Sequence, residues 1–87
     1  MSDTDAGAEP AFDAELDARG LLCPLPVLKA RKRLGPLEPG AVLRILADDP
    51  AARVDVPHFC REQGHDLLHQ RDGTGAEILF WVRKRVG

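Results

Sequence analysis

Leu16-Asp17-Ala18-Arg19-Gly20-Leu21-Leu22-Cys23-Pro24-Leu25-Pro26-Val27 changes its period in the middle, and that change decides the fold. Upstream, Phe12, Ala14, Leu16 and Ala18 alternate with Asp13, Glu15, Asp17 and Arg19, the period of a strand with one buried face. Downstream, Val27, Ala30 and Leu34 recur at helical spacing among Lys29, Arg31, Lys32 and Arg33. Pro24 suits the first helical position, because its ring presets the backbone angle and an N–H there has no helical partner to lose. Cys23 is therefore predicted at or beside a helix N-terminus, where free N–H groups and the positive end of the helix dipole favour a thiolate. Pro24 and Pro26 remove two donors and leave Leu25 and Val27 to face the sulfur. The expected activation is moderate, and the prolines serve chiefly as a stiff mount.

Outward from that point, the first strand ends by Arg19 or Gly20. The helix runs from Pro24 to about Leu34, closed by Gly35 with Pro36 and Pro39 beyond. Val42 to Ala47 is apolar except for Arg44 and reads as a central strand. Asp48-Asp49-Pro50 then offers a capping carboxylate and a helix-starting proline. Pro57 cannot take a mid-helix position without a kink, which predicts a short turn over Ala51–Asp55 and a main helical segment from Pro57 to Gln63, stopped by Gly64. His65–Arg71 and Ala76–Arg85 read as a hairpin about Asp72-Gly73-Thr74-Gly75, with Ile78, Phe80 and Val82 on one face and Leu79, Trp81 and Arg83 on the other. The order β-α-β-α-β-β, with only two helices, predicts a two-layer α/β sandwich in which both helices cover one sheet face.

At 87 residues with a net charge of −2, the chain is one domain with no global electrostatic case for nucleic acid. A carrier or binding module fits that size better than a multi-substrate enzyme. Residues 1–10 lack large apolar side chains and are expected to form a mobile tail before a single domain over 11–87. No apolar run is long enough to span a membrane, and Met1–Glu9 is acidic rather than leader-like. A cytoplasmic protein with two reduced thiols is the expectation.

Cys23, alone and exposed at a helix start, suits attack on a sulfur donor to give a persulfide. Cys60, after Phe59, reads as a small core thiol, with a resolving partner for Cys23 as the functional alternative. His58, Cys60 and His65 do not have structural-zinc spacing, and no metal is expected. Lys29, Arg31, Lys32 and Arg33 read as a solvated helix face or as a docking patch for an acidic partner. Trp81 and Leu79 are expected to pack against Phe12-side residues or the tail, or to form a partner patch.

The stretch from Leu16 to Ala30 closely resembles the signature of the TusA-like (SirA-like) sulfur-carrier family. Ala47-Asp48-Asp49-Pro50-Ala51-Ala52, Asp55-Val56-Pro57-His58-Phe59-Cys60 and Gly64-His65 resemble that family's second half. The resemblance implies a mixed four-stranded sheet, like that of a translation initiation factor's C-terminal domain. It implies Cys23 as the persulfide site, with Gly20, Pro24, Pro26, Asp49 and Pro50 supporting it and no cofactor. It further implies a cysteine desulfurase-type donor and a downstream protein acceptor, commonly toward 2-thiouridine in transfer RNA and in some members toward cofactor assembly or sulfur oxidation. Such a sulfurtransferase consumes its own covalent intermediate in each cycle. Two rival classes remain at this point: an RNA-binding module, and a thiol redox regulator pairing Cys23 with Cys60.

Overall fold

The structure, a computed structural model, describes residues 9–86, so most of the expected tail, residues 1–8, lies outside the described residues. The elements are β1 (Ala14–Asp17), α1 (Leu25–Leu34), β2 (Val42–Ala47), α2 (Ala52–Gln63), β3 (Asp66–Asp72) and β4 (Ile78–Arg83). They form one mixed sheet in the order β1-β2-β4-β3, with β1 parallel to β2 and the other neighbours antiparallel. This is the α+β sandwich anticipated from the order of elements. The alternation of β1 places Leu16 and Ala18 in the core and leaves Glu15 and Asp17 outside. Leu43, Ile45, Ala47, Ile78, Phe80 and Val82 extend that inner face, and Ala30 and Leu34 of α1 and Val56, Phe59 and Cys60 of α2 pack onto it. Burying each large side chain of this set contributes about 1.5–3 kcal/mol.

Three boundaries depart from the periodicity. Helix α2 is continuous through Pro57, where a turn followed by a shorter segment was expected. A single lost ladder bond and the ring's crowding are outweighed because Ala52 and Val56, on one side of the proline, and Phe59 and Cys60, on the other, all bury the same face. Helix α1 starts at Leu25, with Pro24 as its cap residue. Gly35 ends α1 in right-handed geometry, and its carbonyl and that of Leu37 accept from the Lys84 ammonium at 2.8 and 2.7 Å. Gly64 does adopt the left-handed conformation, at φ 78°, and there only glycine avoids strain.

The outer face carries Trp81, which is nonetheless 0% exposed. The Arg44 guanidinium lies 4.3 Å from the Phe12 ring centre and 5.8 Å from that of Trp81. Arg71 sits 5.8 Å from the same indole, and the His69 ring packs against it at 5.0 Å. Phe12, which the alternation assigned to the inner face, precedes β1 and instead covers this outer one. Cationic and aromatic side chains thus roof the indole, each such contact contributing about 0.5–1 kcal/mol at an exposed site.

Candidate functional site

Parallel pairing of β1 and β2, with Asp17 opposite Leu46, sets the C-terminal ends of these strands side by side. The loops that follow them, and the starts of α1 and α2, meet at that edge of the sheet. Gly20 turns the first loop with φ 84°, and two neighbouring carboxylates of the second loop hold it. The Gly20 N–H donates to Asp48 Oδ1 at 2.9 Å, and the Cys23 N–H donates to Asp49 Oδ2 at 2.7 Å. Asp49 Oδ1 also accepts from the Ala51 N–H at 3.1 Å, while its backbone carbonyl accepts from Ala52 at 2.9 Å. One carboxylate therefore caps the approach to α2 and fastens the cysteine loop to it. Those two N–H bonds hold the Asp49 carboxyl below the usual carboxylate range.

Cys23 is exposed, and a helix does begin just after it across a cis Cys23–Pro24 peptide. Pro26 belongs to the buried stripe of α1 with Ala30 and Leu34, so the second proline packs as well as stiffens. The thiol stands in a groove of about 250 Å3 between the helices, lined by Cys23, Val27, Leu28 and Arg31 on one side and Asp55, His58 and Phe59 on the other. Of the exposed large apolar residues, Leu28 lines the groove, Leu22 (71%) and Leu25 flank Cys23 in sequence, and Val54 (72%) precedes Asp55 on α2.

The electrostatics differ from the expectation built on the helix dipole. The Leu25 N–H, expected to face the sulfur, is bonded to the Leu22 carbonyl at 2.9 Å. The Cys23 thiol instead donates to Asp55 Oδ2 at 2.7 Å. That bond, desolvation and the charges of Asp55 and Asp49 push the thiol above its ordinary range rather than below it. A nearby full negative charge outweighs a dipole end whose donors are partly occupied. Asp55 escaped the sequence reading because it was assigned to a turn before Pro57. Placing it in the first turn of an unbroken α2, beside the start of α1, would have brought it to the thiol.

Of the basic run, Arg31 lines the groove, whereas Lys29, Lys32 and Arg33 are exposed beyond it. Among the described residues none of the four makes an ion pair. Pro50 is exposed at the turn into α2. Cys60 is 2% exposed in the core, its thiol pushed up to about 11 by burial, and it does not line the groove. Among the described residues no group of three or more metal-ligating side chains converges. Nor does any described helix have the length and apolarity to cross a membrane.

Comparison with known proteins gives this site its context. The family model described as Sulfurtransferase TusA matches residues 14–84. The "Sulfur carrier protein TusA" of Pseudomonas aeruginosa (strain PAO1) is 44% identical over 76 residues, covering 87% of this chain and 95% of that relative. The protein of the same name from Pseudomonas entomophila (strain L48) is 47% identical over 74 residues, covering 85% and 91%. A crystal structure of a SirA-like protein from Desulfitobacterium hafniense superimposes with a TM-score of 0.75 at 25% identity, covering 85% of this chain and all of that one. With the whole α+β domain matched, from the first strand through the last, the chain belongs to the TusA sulfurtransferase family.

Proposed function

We propose that the protein is a cytoplasmic sulfur carrier that takes up sulfur as a persulfide on Cys23 and relays it to an acceptor protein, toward 2-thiouridine in transfer RNA. The observation that carries this reading is a lone exposed thiol at the mouth of an interhelical groove, in a chain of this family. A desulfurase-type donor holds sulfur as the terminal atom of its own cysteine persulfide. The Cys23 sulfur attacks that atom, a new S–S bond forms at Sγ, and the donor's S–S bond breaks. The Cys23 proton ends on the departing donor sulfur, so the exchange involves no net oxidation. Delivery to the acceptor repeats the exchange with the roles advanced by one protein.

Gly20, Pro24, Pro26, Asp49 and Pro50 act by shaping and fastening the loop that presents the thiol. The exposed apolar Leu22, Leu25 and Leu28 around Cys23 in sequence, with the exposed Lys29, Arg31, Lys32 and Arg33 that follow, suit partners with an apolar centre and an acidic rim, where charge steers encounter and apolar contact holds it. Residues 11–87 form the functional unit. The buried Trp81 and the buried Cys60 give no support to RNA stacking or to a Cys23–Cys60 redox pair. A bacterial strain deleted for its own sulfur carrier tests the pathway. Expression of this chain should restore 2-thiouridine and its Cys23→Ala variant should not; thiolation that is equally absent with both refutes the assignment to transfer RNA.

A further inference from the structure

The groove contains a contact that sulfur transfer by itself does not require: the carboxylate of Asp55 at 2.7 Å from the Cys23 sulfur. We propose that Asp55 is a positioning residue that latches the empty carrier's thiol in its protonated form and lets go when the sulfur is loaded. The inference rests on the sulfur-carrier reading for its purpose, though not for its chemistry.

A carboxylate can only accept, and a thiol has one proton to give, so this bond exists for S–H and for no other state of Cys23. Ionising the thiol places two negative charges against each other in a partly enclosed groove. The other groups facing the sulfur do not offset this. Asp49, from the loop before α2, adds a third acidic group and is held ionised by its two N–H bonds. On α2, Glu62 lies 3.6 Å from His58 and is engaged there. From α1 the groove receives Arg31, but the charges that move the thiol are those of Asp55 and Asp49, and the guanidinium is not among them.

Loading ends the latch by covalency. In a persulfide Sγ is bonded to carbon and to the terminal sulfur and carries no hydrogen, so the donation from Sγ to Oδ2 is lost. Empty and loaded carriers therefore present different groove surfaces to the next protein. The empty one holds a thiol that reacts slowly with stray electrophiles, since thiolate is the reactive form. The loaded one has a released arm with Asp55 unoccupied.

Alkylation of Cys23 by iodoacetamide, followed by peptide mass spectrometry from roughly pH 6 to 11, reads the latch directly. In Asp55→Asn the midpoint of the rate profile should fall by about one pH unit, making alkylation at neutral pH about tenfold faster. An unchanged or higher midpoint overturns the proposal. Cys60 serves as the folding control, because it is alkylated only if the variant has opened. Should the variant open, the wild-type chain decides by NMR: the Asp55 side-chain carboxyl signal must step as Cys23 ionises and lose that step in Cys23→Ala. Absence of the step overturns the latch. No sulfur donor enters either measurement, so a latch without loading refutes the carrier reading alone, and loading without a latch refutes this inference alone.

Discussion

Replacing Pro57 by alanine should stabilise the fold. In an α2 that runs unbroken from Ala52 to Gln63, residue 57 is the sixth helical position, and its missing N–H leaves the Arg53 carbonyl without its ladder bond. An interior proline costs about 3 kcal/mol relative to alanine. Against this, the half-buried ring gives up apolar burial worth about 0.8 kcal/mol, and the unfolded chain gains freedom worth about 0.4–1 kcal/mol. The net gain is about 1–2 kcal/mol, which for a domain of this size raises Tm by roughly 5–15 °C. Thermal melts followed by circular dichroism, with urea titrations of both proteins, measure it. If α2 were interrupted at Pro57, alanine would find no ladder to complete and would lose only packing. An unchanged or lower Tm would therefore refute the continuous helix, and with it the account of how Asp55 reaches the thiol.

Two further outcomes follow from the site. The Asp49 carboxyl titrates below its unfolded value, so its contribution to stability is complete above the unfolded pKa of about 3.9 and is lost as pH falls through the lower folded value. Urea midpoints should fall on the acid side by an amount that shrinks in Asp49→Asn, while above about pH 5 the variant should lie below the wild type by a constant offset; an identical acid limb in the variant counts against the two N–H bonds assigned to Asp49. Reversing the charge of Lys29 and Lys32 together should slow sulfur uptake from a desulfurase by on the order of tenfold at low salt and flatten its salt dependence. An unchanged rate removes electrostatic docking through that face.

Much of the architecture was legible because period and punctuation agreed. The alternation around Leu16, the apolar run from Val42, the hairpin at Asp72–Gly75 and the stop at Gly64 each rest on local sequence, and each element stands within a few residues of its expected place. The failures share a different cause. Pro57 carries a strong local prohibition that burial of Val56 and Phe59 overrides. The ionisation of Cys23 was judged from the helix beginning after it, whereas its sign is set by Asp55, 32 residues away in sequence. Trp81 was recognised as facing outward, but its burial depends on Arg44, Arg71, His69 and Phe12 arriving from other parts of the chain. Periodicity reports which face a residue takes and says little about what a second element brings to it.

The central claim is that sulfur resides on one atom, Sγ of Cys23. Incubation of the protein with a cysteine desulfurase and cysteine, followed by intact mass and peptide mapping, tests it most directly. The account predicts a gain of one sulfur atom on the Cys23 peptide that is reversed by reductant, abolished in Cys23→Ala and retained in Cys60→Ala. No gain, or a gain that survives Cys23→Ala, would contradict it.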